Sequence, residues 1–122
     1  MKTITVSSVT VTKATGTLTA SAVSNNDKIY IDTQAYTFKT TLSTGPTVAY
    51  EILIGGSVAV ALDNLKLAVN GGAGIGTNYS TGTAAHTLVT ATTNGATTQV
   101  IESIDNATSA NDIATTVDTG AG

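Results

Sequence analysis

In the first forty residues of the chain, apolar side chains tend to fall at every second position. Ile4 and Val6, then Val9 and Val11, alternate with Thr and Ser. That is the period of a β-strand, and the phase slip at Ser7-Ser8 predicts a bulge. A break at Ala14-Thr15-Gly16 follows, and Thr17 to Val23 is a second β-like run, closed by the turn cluster Ser24-Asn25-Asn26-Asp27. Next, Lys28-Ile29-Tyr30-Ile31 and Ala35-Tyr36-Thr37-Phe38-Lys39 flank Asp32-Thr33-Gln34. Pairing across a two-residue turn at Asp32-Thr33 sets Ile29 opposite Tyr36 and turns the aromatic side toward a core. A polar loop from Thr41 to Thr47 holds the single proline, Pro46, and leads to a short apolar strand, Tyr50 to Ile54, ended by Gly55-Gly56.

The period then changes. Val58, Leu62, Leu65 and Val69 are spaced +4, +3, +4, which is the stripe of an amphipathic helix. Ser57 is placed to cap its N-terminus and Asn70-Gly71 to end it, while Asp63 and Lys66 lie on the opposite, solvated face. A long Gly, Thr and Asn loop around Tyr79 spans Gly71 to Thr83. Thr87 to Glu102 reads as a hairpin about Asn94-Gly95, the strongest turn signal in the chain. Ile113 to Val117 forms a last short strand. The order predicts an α+β fold, mostly antiparallel β, as a sheet or β-sandwich with one packed helix at about 57–70. It also divides the chain into an extended arm over 1–13, one β-rich domain over 14–117 and a flexible tail over 118–122.

Composition adds what such a fold can do. The 122 residues carry 5 Lys and 8 Asp plus Glu, for a net charge of −3, with 11% charged residues and no cysteine. All five basic residues are scattered lysines, so no basic patch is available for phosphate neutralisation and no nucleic-acid partner is expected. Without cysteine there is no disulfide framework, thiolate nucleophile or thiolate metal site. Mean hydropathy is +0.21, yet the most apolar stretch, Ser57 to Val69, is broken by Asp63, Asn64 and Lys66. That is well short of the roughly 20 apolar residues a membrane span requires. The alternating start does not read as a signal peptide either, so a soluble chain made in a cytoplasm is expected. About one residue in five is threonine, so the surface is solvated mainly by hydroxyls and amides.

Candidate chemistry is sparse. His86 is the only imidazole, and no Gly-x-Ser-x-Gly elbow accompanies it. The carboxylate pairs Asp27 with Asp32 and Glu102 with Asp105 fall at turns, where Asp is favoured for bonding nearby backbone. Gly71-Gly72-Ala73-Gly74-Ile75-Gly76 follows a helix C-terminus and lacks the Lys-Ser/Thr ending of a phosphate loop, so it reads as a C-cap and flexible loop. Asp105, Asp112 and Asp118 lack calcium-loop spacing. No catalytic residue, cofactor or metal is expected. A neutral Thr-rich sheet with unguarded edges instead invites another chain to pair, as in a homo-oligomer or a larger assembly.

Ala14-Thr15-Gly16-Thr17-Leu18-Thr19, Asp27 to Ile31, Ala35 to Thr40, Glu51 to Gly55, Leu62-Asp63-Asn64-Leu65 and Asn70 to Gly74 together resemble a β-rich module of tailed-bacteriophage virion structural proteins, which recurs in capsid decoration, tail and fibre proteins. The likeness runs from about Ala14 to Thr116. It departs at the hairpin turn, where that family usually has a Gly-Gly-like pair and this chain has Asp32-Thr33. The resemblance implies a non-enzymatic structural role in a virion. A single module without a shaft suits a capsid decoration (cement) protein that binds the phage major capsid protein. A tail tube, tail-tip or fibre component, or a carbohydrate-binding module, is the alternative. The arm residues Ile4, Val6, Val9 and Val11 are then the candidate interaction segment, adding a strand to a neighbour. Tyr79 is the candidate surface aromatic, with Tyr30 and Tyr50 beside it as possible stacking rings.

Overall fold

The computed structural model describes residues 13–44, 48–104 and 115–118. Its elements in chain order are β1 (Thr15–Thr19), β2 (Lys28–Ile31), β3 (Gln34–Lys39), β4 (Glu51–Leu53), α1 (Val58–Asn70), β5 (Val89–Asn94), β6 (Thr98–Ser103) and β7 (Thr115–Asp118). The strands form two sheets, one ordered β1-β6-β5 and the other β4-β3-β2-β7. Every pairing is antiparallel except β3 with β4. The fold is α+β, and the arrangement of its two sheets is compatible with a sandwich.

One core joins the layers. Ile29, Ile31, Tyr36, Phe38 and Ile52 come from the larger sheet, Val89, Ala91 and Ile101 from the smaller, and Ala61, Leu62, Leu65, Ala68 and Val69 from the helix. Alternation explains the sheet contributions: β2 buries Ile29 and Ile31 and β6 buries Gln99, Ile101 and Ser103, each at every second position. The helix buries Leu62, Leu65 and Val69 of the expected stripe together with Ala61, Asn64 and Ala68, while Val58 is only half-buried. At its N-terminus Val60 N donates to Ser57 Oγ at 3.3 Å. At its C-terminus Gly71 takes φ 65°, with Gly71 N donating to Ala68 O at 3.2 Å and Gly72 N to Leu67 O at 2.8 Å. Those two bonds satisfy carbonyls that the last helical turn leaves without partners.

The first hairpin has the expected register, with Ile29 opposite Tyr36. Asp32 sits at φ 56°, the conformation a glycine would adopt without cost, so the turn is made despite the missing Gly-Gly pair. Other expectations are corrected. Thr15 and Gly16, expected to belong to a break, lie inside β1 with Gly16 opposite Ile101, and the strand ends at Thr19 instead of Val23. The strand expected over Tyr50 to Ile54 is confined to Glu51–Leu53 and runs parallel to β3. The second hairpin forms, but its turn is not a two-residue Asn94-Gly95 turn. Asn94 pairs with Gln99 after a register shift beyond Ala91, and neither Asn94 nor Gly95 has the positive φ that such a turn needs. The last strand extends to Asp118, the first residue of the expected tail, while Ile113 and Ala114 lie outside the described residues.

Candidate functional site

An antiparallel sheet exposes a row of main-chain donors and acceptors along each outer strand, so the way each edge ends determines what can be added to it. β4 and β5 are closed by elements of the chain itself. Along β4, Leu53 N donates to Asn78 O at 3.0 Å and Ser80 N donates to Glu51 O at 2.9 Å. Ser80 Oγ in turn accepts from Glu51 N at 2.9 Å. Asn64, buried on α1, donates through Nδ2 to Leu53 O at 2.8 Å and accepts from Asn78 Nδ2 at 2.7 Å, tying helix, strand and loop together.

On β5 the cap is a single side chain. Asn70 Oδ1 accepts from Ala91 N and from Thr90 Oγ1, each at 2.8 Å, and Asn70 Nδ2 donates to Ala91 O at 2.8 Å. The amide acts as a one-residue strand: it offers the edge both a donor and an acceptor.

β1 is different. It pairs with β6 alone among the described residues. Ser103 N donates to Ala14 O at 2.8 Å and Ala20 N to Thr97 O at 2.8 Å, so positions 14, 16, 18 and 20 turn their main-chain groups inward. The N–H and C=O groups of Thr15, Thr17 and Thr19 therefore point outward from the sheet edge. Their side chains are exposed, and no charged residue occurs from Ala14 to Asn26. The outer face continues across Thr98, Val100, Glu102 and Thr90, with Glu102 its one carboxylate. On the inner side Leu18 is half-buried against the core. Below the strand lies a groove of about 200 Å³, lined by Leu18, Val23, Phe38, Leu62 and Leu65 and also by Asp27 and Lys28.

The sequence-derived candidates are placed as follows. Ile4, Val6, Val9 and Val11 lie outside the described residues. Tyr79 is not a surface aromatic: only 2% of it is exposed, and its hydroxyl donates to Gly72 O. The loop carrying it is packed, because Tyr79 bridges to both Ile52 and Ile75 and Gly76 N donates to Tyr79 O. The Gly-rich run read as a flexible loop is thus pinned to the core by Tyr79, while Ile75 within the run stays exposed. Tyr50 stands edge-on to Tyr36 at 5.6 Å and 85°, and Tyr30 is half-buried in β2. His86 bonds through both nitrogens, Nε2 to Ile31 O and Nδ1 from Leu88 N, each at 3.0 Å. An Nδ1 that accepts an N–H leaves Nε2 as the protonated nitrogen, so the ring is a neutral clamp between loop and β2. Asp27 accepts from Ser24 N at 2.8 Å, the local turn bond expected of it.

Among the described residues, no three His, Asp or Glu side chains form a metal-binding group. Among the described residues two buried polar side-chain atoms lack a partner, Tyr36 Oη and Gln99 Oε1. Burial, helped by neighbouring Tyr50, raises the Tyr36 phenol above its ordinary value. What sequence reasoning missed is the pair Asn64 and Asn70. Both lie within the helix span, where asparagine is a weak helix former, and that low propensity was the available signal. No protein-family model, curated protein or solved structure matches this chain.

Proposed function

We propose that this protein is a structural subunit that works by strand-edge contact, serving as a capsid decoration protein of a tailed bacteriophage that binds the shell and stabilises it. The observation that supports an assembly role is the β1 edge. It is uncharged, and among the described residues the outward main-chain groups of Thr15, Thr17 and Thr19 face no other strand, while β4 and β5 are closed by the chain's own residues and β7, the remaining outer strand, carries Asp118. Isolated domains guard such edges with lysine, proline or a covering element. An edge left open is a surface for β-augmentation, in which main-chain hydrogen bonds provide attachment and alternate side chains provide specificity. The virion assignment rests on the sequence resemblance.

The test is to incubate purified protein with emptied heads and with isolated tails of the parent phage and measure co-sedimentation. Retention on heads, together with a higher temperature of head disruption, is the expected result. Retention on tails alone reassigns the protein to the tail. A protein that stays monomeric and binds neither structure sinks the reading.

A further inference from the structure

Resting on that reading, we infer that the β1 edge of one copy takes the segment Ile4 to Val11 of a second copy, so that neighbouring subunits are joined by exchanged N-terminal strands. Three observations converge on this occupant.

The first is complementarity on two faces. A strand added outside β1 would bond to the outward groups of Thr15, Thr17 and Thr19 and carry its own side chains alternately inward and outward. Its inward side chains would stand beside Leu18, over the apolar part of the groove, formed by Phe38, Leu62 and Leu65. Val9 and Val11 supply apolar groups at that spacing. Thr10 and Thr12 then fall on the outward side, extending the threonine face of β1. The second is charge. Residues 3–12 and 14–26 contain no charged side chain, so nothing repels the two segments.

The third observation selects a second copy over the chain's own arm. For the arm to fold back on its own β1 it must reverse just before Thr15. Val11-Thr12-Lys13-Ala14 contains no Gly, Asn, Asp or Pro, and Ala14 O is already engaged by Ser103 N. The only glycine nearby, Gly16, is used inside β1 opposite Ile101. A tight reversal without turn residues is disfavoured, whereas a continuous extended chain carries the arm away to a neighbour.

The absence of native cysteine makes the test direct. Full-length Val11→Cys and full-length Thr17→Cys, tagged differently and co-expressed, are treated with a short bismaleimide. The expected product is a covalent heterodimer, with little product from either variant alone. A chain carrying both substitutions should also cross-link between chains. If the doubly substituted chain instead closes within itself and stays monomeric, the arm folds back and the inference is overturned. No cross-link in any combination overturns it too, and leaves the edge to another partner.

A second full-length variant, Val9→Asp with Val11→Asp, is expected to sediment as a monomer with an unchanged unfolding midpoint. Retention of the native assembly mass by this variant is an overturning result. Sedimentation of the unmodified chain and its binding to heads distinguish the two levels. An assembly or a head-bound protein that lacks the cross-link removes the exchanged arm but keeps the structural role, whereas a monomer that binds neither heads nor tails removes both.

Discussion

The two edges of the smaller sheet are built from similar residues and end in opposite ways. β5, with the sequence VTATTN, and β1, with TGTLT, are both neutral and threonine-rich and both pair with β6. On β5 the outer groups of Ala91 are taken by the side chain of Asn70, held there because the helix stops one residue later at Gly71. On β1 no element occupies the equivalent groups among the described residues. Strand composition therefore does not decide whether an edge is covered. The decision is made by whether a helix end, placed by its own capping residue, delivers an amide to it.

This contrast can be broken at β5. Asn70→Ala leaves the N–H and C=O of the buried residue Ala91 without partners, and it should cost about 2–4 kcal/mol of stability, measured by urea denaturation. The same variant should associate more readily, because the other edge of the smaller sheet is now open. A loss under about 1 kcal/mol would show that water replaces the cap freely. Gly71→Ala attacks the placement of the cap instead. Its Cβ would meet Ala85 Cβ at 2.9 Å, and the left-handed backbone disfavours any side chain, so a loss of about 1–2 kcal/mol is expected. Thermal unfolding of this variant with and without Asn70→Ala should show non-additive losses, since both act on one contact.

A third experiment separates edges from core. Neither edge titrates, so alkaline sensitivity should come from Tyr36 in the other sheet. Its phenol is raised in the folded state, so the folded chain keeps its proton when the unfolded chain releases one. The stability is fully present below the ordinary phenol value of 10.0 and declines as pH rises above it. Tyr36→Phe should flatten that decline, while changing stability at neutral pH by less than about 1 kcal/mol because the lost hydroxyl has no partner. The smallest effect on folding belongs to Thr17→Lys on the open edge. It should leave stability within about 0.5 kcal/mol of the parent, as an exposed substitution does, yet abolish self-association in sedimentation.

Features set by local rules were legible in the sequence. The helix with its Ser57 and Gly71 caps, and the hairpin that sets Ile29 opposite Tyr36, each depend on residues within a few positions of one another. Features set by distant partners were not. Tyr79 looked like an exposed ring in a glycine-rich loop because nothing nearby shows that Ile52 and the helix C-terminus enclose it. Asn94-Gly95 had the best local turn chemistry in the chain, but the register shift beyond Ala91 moved the reversal to pair Asn94 with Gln99, and the Asn94 amide bonds Asp63 on the helix. The open edge of β1 was foreseeable only in outline. The scarcity of lysine and proline hinted at unguarded strands, while the identity of the guarded ones depended on where two asparagines of the helix happened to reach.

The uncharged run from Ala14 to Asn26 has a further consequence, for the medium in which a contact at β1 forms. Ionic screening acts on charges, and this run carries none, so a contact formed along it should depend little on ionic strength. The same neutrality removes long-range steering, so partners meet by unassisted diffusion, at about 10⁵–10⁶ M⁻¹s⁻¹. A subunit joined in this way would be slow to find its place and little affected by ionic strength once there.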